Sequence, residues 1–268
     1  MKYPFWIILI LLPAHLFAQI AIPAGTILPV RLNCSLNSRR VKNGQLISAR
    51  VMQDVPLSPG STIRTGAKVL GHVADVKPSD AKSGGQISIL FDTVITSKQR
   101  IPMTTNLRAL ASMLAVEEAQ LPESGPDRGT SENAWTTTQI GGEVVYRGGG
   151  PVADGLRSVG EPTTHGVLVH ISSRPGTPCR GEIEGDDRLQ ALWLFSSDAC
   201  GIYGFANLTV VHAGRTPPIG QITLASDHGE VNVRGGSGML LRVNAPMQHK
   251  SPNPGNPESG KSFFSNGL

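Results

Sequence analysis

The chain has 268 residues, with 24 Lys and Arg against 20 Asp and Glu, and it contains 31 Gly and 20 Pro. Only 16% of the residues are charged, and a composition this rich in turn formers excludes a largely helical protein and predicts many short strands. The basic residues are scattered and hardly interleaved with aromatic residues, which argues against a nucleic-acid-binding protein.

Residues 1–18 have the layout of a secretory signal peptide. Lys2 precedes the apolar run 5–12, and Pro13 and Ala18 follow it. The apolar run is shorter than the roughly 20 residues that a membrane span requires. An uncleaved N-terminal anchor is the alternative. The sequence therefore predicts export to the periplasm or the cell exterior, with outer-membrane association left open and no transmembrane span in the mature chain.

Residues 19–106 are predicted to form a small β-barrel of five or six strands. Alternating β-branched runs are separated by turns centred on glycines such as Gly44 and Gly60. In the run 86–95, every second residue up to Phe91 is apolar, which places one face of that strand inward. A closed barrel is the economical way for so few strands to hide their edges.

Three further regions follow the predicted barrel. Residues 107–165 are predicted to contain one short helix near 108–120 and then a linker or flap rich in Gly and Pro. Residues 166–243 read as a second β-rich unit, and 244–268 as a disordered tail. The predicted fold class is therefore all-β.

The position of the last strand stays open at this stage. The run 238–243 resembles 25–32, because each has a glycine followed by an apolar strand that includes an arginine. If these two runs pair, the final strands close the first barrel and residues 107–215 form an insertion. Otherwise the chain consists of two β-units in series.

Charge is distributed unevenly along the chain. Residues 19–106 hold 11 Lys or Arg against 4 Asp or Glu, a net of +7, whereas residues 107–268 hold 12 against 16, a net of −4. A basic first domain favours an acidic envelope protein or an anionic glycan as partner, or else the acidic half of the same chain, and an oligomer is compatible with it. The residues predicted to form this partner surface are Arg31, Arg39, Arg40, Lys42, Arg50, Arg64 and Lys68.

The cysteines predict one disulfide bond. Cys179 and Cys200 flank an acidic turn at a spacing that suits a bridge in an exported protein, and two unrelated thiols are the alternative. Cys34 is the odd cysteine, either a small buried side chain or a thiol for an intermolecular bridge.

The sequence predicts no catalytic, cofactor-binding or metal-ligating residues and no cofactor. His165 and His170 are five residues apart, so a strand would point them to opposite faces. An enzyme remains the alternative, because paired acids of a hydrolase need no fixed spacing. The candidate carboxylate pairs are Glu182 with Asp187 and Glu143 with Asp154.

One family resemblance covers about residues 22–76. It rests on turn and strand motifs, which are Gly25-Thr26, Leu36-Asn37-Ser38, Gly44, Ala49-Arg50-Val51, Asp54-Val55, Pro59-Gly60, Gly66-Ala67 and Leu70-Gly71. In this order they resemble the β-barrel domain of TrbI-like channel subunits of conjugation and type IV secretion. The resemblance implies a barrel used for ring-like or envelope protein contacts. Asn43-Gly44 and Thr65-Gly66 depart from the family pattern, and the apolar helices of the family are missing, so channel activity is not implied.

Taken together, these patterns predict an exported, non-catalytic cell-envelope β-protein. Its predicted role is that of a binding or assembly module for a protein or glycan partner. The alternative is a carbohydrate- or cell-wall-active hydrolase whose carboxylate pair is assembled only in the fold.

Overall fold

The computed structural model describes residues 21–97, 99–121, 136–146, 151–171 and 188–245. The first ten strands are β1 (Ile27–Leu32), β2 (Leu36–Asn37), β3 (Leu46–Val51), β4 (Val55–Ser58), β5 (Ser61–Ile63), β6 (Lys68–Lys77), β7 (Gln86–Ile95), β8 (Arg100–Pro102), β9 (Thr105–Ala111) and β10 (Thr136–Thr138). The other ten are β11 (Val144–Tyr146), β12 (Val152–Asp154), β13 (Arg157–Thr163), β14 (Gly166–Val169), β15 (Gln190–Ala191), β16 (Gly201–Tyr203), β17 (Leu208–His212), β18 (Ile222–Ser226), β19 (Asn232–Val233) and β20 (Gly238–Val243). The helix α1 (Met113–Glu118) lies between β9 and β10.

A ten-stranded sheet forms a nearly closed barrel. Its strand order is β16-β9-β20-β1-β3-β6-β7-β18-β17, with β8 paired to β7, and the two end strands approach each other. Strand β20 lies between β1 and β9 and is antiparallel to both. Strands from both ends of the chain therefore build the same barrel.

A second sheet of six strands runs in the order β10-β11-β12-β13-β14-β15. Each of its strands pairs antiparallel with the next one along the chain. It lies between β9 and β16 in the chain, so the barrel sequence is interrupted by this sheet and then resumes.

Two apolar clusters hold these sheets together. The inner core fills the barrel and includes Leu28, Val30 and Phe91. The outer core lies where the six-stranded sheet covers β1, β9 and β20, and it includes Ile27 and Phe195. Alternate residues of β1 therefore enter different cores, and five of its six residues are buried.

Two buried glutamines tie the sheets to each other by hydrogen bonds. Gln53 follows β3, and its side chain donates to the carbonyl oxygen of Val167 at 2.6 Å and accepts from the backbone N–H of Trp193 at 2.7 Å. Gln190 of β15 accepts from the backbone N–H of Ile27 at 3.0 Å. These amides satisfy backbone groups that the packing of the two sheets removes from water.

The predicted all-β class with a barrel and one short helix is confirmed. The helix is shorter than the predicted 108–120, because 105–111 is strand β9. All seven residues of β9 are buried, so it lacks the alternation that marks a strand, and its Leu and Ala content favours a helix by propensity. The helix begins after Ser112, whose hydroxyl accepts from the N–H of Ala115 at 3.1 Å.

The other predicted region boundaries differ from those of the structure or lie outside the described residues. The predicted linker or flap within 107–165 contains strands β10 to β13, which are short and separated by turns. The predicted second unit, 166–243, is divided between the six-stranded sheet and the barrel. The predicted signal peptide, 1–18, and residues 246–268 of the predicted tail lie outside the described residues.

Candidate functional site

Four cations lie in one row across the outside of the barrel. Arg31 of β1 is directly opposite Arg50 of β3, and Arg50 is directly opposite Lys68 of β6. Lys68 is opposite Ile95 of β7, which is in turn opposite Arg100 of β8. We call Arg31, Arg50, Lys68 and Arg100 the cationic row.

The alternation of each strand places this row outside. The neighbouring pair Val30 and Val51 points into the inner core, so Arg31 and Arg50 point the other way. The pairs that flank Lys68 and Arg100 behave alike, because Val94 and Ile101 are also part of the inner core. Arg50, Lys68 and Arg100 are exposed, and Arg31 is half-buried.

Like charges directly opposite on neighbouring strands repel each other. Among the ion pairs of the described residues, none involves a member of the cationic row. The repulsion within the row is therefore not relieved by a carboxylate in the described part of the chain. A surface that costs stability in this way is a candidate for binding, because an anionic ligand would remove the repulsion.

Three surface cavities lie along the row. One of about 390 Å³ is lined by both arginines of the pair Arg31 and Arg50 together with Gly235 and Gly236. It adjoins a second cavity of about 510 Å³, to which Arg40 and Arg234 contribute, since Gly235 lines both.

Further along the row, Lys68 and Arg64 line a cavity of about 720 Å³ at the β4–β5 hairpin. Among the described residues, no Asp or Glu lines any of these three cavities. The row and the cavities beside it thus form a positively charged surface.

The structure separates the seven residues predicted to form the partner surface. Arg31, Arg50 and Lys68 fall within the row, and Arg40 lines the adjoining cavity. Lys42 is exposed on the turn before β3. The two others, Arg39 and Arg64, are engaged by carboxylates.

Arg39 pairs with Glu230, Nε to Oε1, at 3.0 Å. Glu230 also accepts hydrogen bonds from the hydroxyl groups of Ser38 and Ser79. These bonds, that of Ser38 above all, hold the pKa of Glu230 at about 2, well below its ordinary value. Glu230 is therefore ionised at neutral pH and compensates the charge of Arg39.

Arg64 pairs with Asp54, Nη1 to Oδ2, at 2.6 Å. The backbone N–H of Thr65 donates to Asp54 at 2.8 Å, and this bond, followed by those from Arg64 and the Thr65 hydroxyl, lowers the pKa of Asp54. The charge of Arg64 is therefore compensated, whereas Lys68 beside it in the same cavity has no such pair among the described ion pairs.

Two basic residues of this surface, Arg100 and Arg234, were not among those predicted from the sequence. Arg100 lies on β8, a strand of only three residues, and Arg234 lies beside Gly235, some 200 residues from the barrel strands it adjoins. Strand register is the signal that identifies Arg100, because Val94 and Ile101 must both face the core. Arg234 has no comparable signal, since it comes close only through the return of the chain to the barrel.

Of the candidate carboxylate pairs, Glu182 and Asp187 lie outside the described residues. Glu143 is 4% exposed and accepts a hydrogen bond from the Ser197 hydroxyl, whereas Asp154 is exposed and pairs with Arg157 at 3.1 Å. Burial raises the pKa of Glu143. Hydrogen bonds from Ser197 reduce this rise, and the negative charges of nearby acidic residues increase it. Neither carboxylate lines the cavities described above.

Glu143, Ser197 and Arg108 form a buried polar cluster. The guanidinium of Arg108 donates through Nη2 to the carbonyl oxygen of Ser197 at 3.0 Å, and Arg108 is 2% exposed. Burial and the neighbouring charge of Arg242 lower the pKa of Arg108 to about 10. These groups connect the turn that carries Glu143 to barrel strand β9, so the cluster joins the two sheets.

The predicted disulfide bond has no support among the described residues. Cys179 lies outside them, and Cys200 is buried at the start of the segment that returns to the barrel. The bridge between Cys179 and Cys200 therefore stays a prediction. Cys34 is free and half-buried.

Two kinds of feature are absent from the described residues. No group of three or more His, Cys, Asp or Glu side chains is arranged to hold a metal ion there. The same part of the chain holds no helix with the length and apolar character needed to cross a membrane.

Comparisons with protein-family models, with curated proteins and with solved structures gave no match for this chain.

Proposed function

We propose that this protein is an exported, non-catalytic module of the cell envelope that binds an anionic partner, a protein or a glycan, through the cationic row and its flanking cavities. The observation that carries the proposal is the row itself, in which Arg31, Arg50 and Lys68 are directly opposite one another on adjacent strands. The repulsion between these charges opposes the pairing of the strands. We therefore attribute the arrangement to ligand binding rather than to folding stability.

Two further features support a binding role for this face. The arginine side chains offer planar, bidentate donors that match carboxylate, sulfate or phosphate groups. The barrel strands beneath them are held by a buried core, so the donors sit on rigid elements rather than on loops. Both features favour recognition of an anion without a change in the fold.

Binding of the exported chain to isolated envelope material tests the proposal. The double variant Arg31→Glu with Arg50→Glu reverses the centre of the row, and we expect it to lower the bound fraction about tenfold or more at low ionic strength. The matched control is Lys77→Glu with Lys82→Glu, which changes the net charge equally. Lys77 lies at the far end of β6 from Lys68, about 30 Å away along an extended strand.

We expect the control pair to bind as the unmodified chain does. Far-ultraviolet circular dichroism of each variant establishes that the barrel is still folded. Equal loss of binding in both pairs would mean that only net charge matters, and unchanged binding in the row variant would place the partner surface elsewhere. Either result would overturn the proposal.

A further inference from the structure

The cationic row follows the curvature of the barrel, one strand at a time. Its members occupy register positions on successive strands, and neighbouring strands in a sheet are about 4.8 Å apart. Arg31, Arg50 and Lys68 therefore stand at three consecutive steps. Ile95 occupies the fourth step and Arg100 the fifth, so Arg100 is about 19 Å from Arg31 measured along the surface of the sheet. The row crosses the strands at right angles to their direction.

A row of this form is matched to an extended chain rather than to a single anion. One compact anion would contact two neighbouring cations and leave the others unpaired. A linear polymer with one negative charge per repeat, and a repeat close to one strand spacing, would contact all four. A uronic acid polysaccharide has this character, because each sugar ring carries one carboxylate and its length is comparable to the strand spacing.

Other polyanions fit the surface less well. Single-stranded nucleic acid is bound by aromatic side chains on which the bases stack, and none of the described aromatic residues lines the cavities beside the row. An acidic protein partner needs buried apolar anchors at the centre of its interface. The row offers Ile95, which is half-buried, as its apolar member.

We propose that the cationic row binds a linear anionic polysaccharide laid across strands β1, β3, β6, β7 and β8, with one carboxylate at each cation. This inference rests on the proposed function and specifies its partner. The chain of sugars lies with its third and fifth charges at Lys68 and Arg100, and the ring between them passes over Ile95. No bond in the ligand is formed or broken.

Titration with oligogalacturonates of increasing length, from one to seven residues, tests this arrangement by calorimetry. We expect the affinity to rise with length up to about five residues, by about tenfold or more over the monomer, and then to stay level once the row is spanned. Arg100→Gln removes the last cation, so for this variant we expect the affinity to level off at three residues.

Two controls accompany the titration. Lys77→Gln removes an exposed cation outside the row and should leave the length dependence unaltered. Neutral oligosaccharides of the same lengths should not bind. Oligothymidylate, polyphosphate and a polyglutamate peptide of matched charge serve as the competing polyanions.

An affinity that does not depend on length, or the same length dependence with and without Arg100, would overturn the linear arrangement. If envelope binding still requires Arg31 and Arg50 in that case, the proposed function survives and only its polymer assignment fails. Tighter binding of oligothymidylate, polyphosphate or polyglutamate than of the uronate chain would overturn the polysaccharide as the partner. Loss of envelope binding in the control pair as well would remove the function itself.

Discussion

Among the described carboxylates, Glu143 is the one whose surroundings oppose its ionisation enough to raise its pKa. The unfolded chain holds this side chain at its ordinary pKa of 4.5, and burial raises the pKa in the folded protein. Between these two values the folded state binds more protons than the unfolded state. Stability therefore falls as the pH rises through 4.5, and the full cost is present above the folded pKa.

Replacing this carboxyl by an amide removes its titration. We expect Glu143→Gln to gain stability relative to the unmodified protein as the pH is raised from about 4 to about 7. Each unit by which the pKa is raised corresponds to about 1.4 kcal/mol of unfolding free energy. Urea denaturation at both pH values measures the difference, and Glu161→Gln, at an exposed position of β13, is the matched control. A difference that is the same at both pH values would contradict the assignment.

At the scale of the elements, β1, β3 and β6 combine good packing with unfavourable charge. Their inward residues beside the row are fully buried, while their outward residues Arg31, Arg50 and Lys68 repel one another. The strands pair because burial of the inner core outweighs this repulsion. The sheet can therefore keep a surface that does not contribute to its stability.

Neutralising the middle of the row should make the protein slightly more stable. We expect Arg50→Gln to raise the unfolding free energy by about 0.2–1 kcal/mol at low salt, because two repulsive cross-strand pairs are lost. The gain should decrease at high ionic strength, where charges at the surface are screened. Chemical denaturation at two salt concentrations measures it. Arg157→Gln breaks an exposed ion pair instead and should give no gain; a loss for Arg50→Gln would mean that the row is structural.

At the scale of the whole molecule, the two sheets share structure and are expected to unfold together. Strands β1, β9 and β20 contribute to both cores, and Gln53 hydrogen-bonds the barrel to the six-stranded sheet. The outer core cannot lose its packing without exposing one face of barrel strands that are buried on both faces. The insertion is thus integrated into the fold.

Substitutions in either core should accordingly lower the same transition. Phe91 and Phe195 are both fully buried, one in each core, and we expect either Phe→Ala change to cost about 3–5 kcal/mol. Fluorescence of Trp193, in a chain whose Trp6 and Trp135 are replaced by Phe, reports the outer core, and circular dichroism reports the strands. Coincident transitions are expected in both variants, whereas a separate early transition in Phe195→Ala would show that the six-stranded sheet unfolds by itself.

By itself, the sequence was sufficient to predict the all-β class, the barrel strands before residue 106 and the one short helix. These follow from local patterns, because turn glycines such as Gly44 and the alternation around Phe91 act over a few residues. From the charge excess of residues 19–106 it also predicted a partner surface that includes Arg31, Arg50 and Lys68, and this stays a prediction.

Only the tertiary structure decided how these parts combine. Pairing of β20 with β1 joins residues more than 200 positions apart, and no local preference encodes which strand edges meet. The strand β9 lacks alternation because both of its faces are buried, so its pattern becomes intelligible only when the six-stranded sheet is in place. The cationic row also depends on the tertiary structure. Its like charges come to lie side by side only through the register of five strands, and the inner core as a whole sets that register.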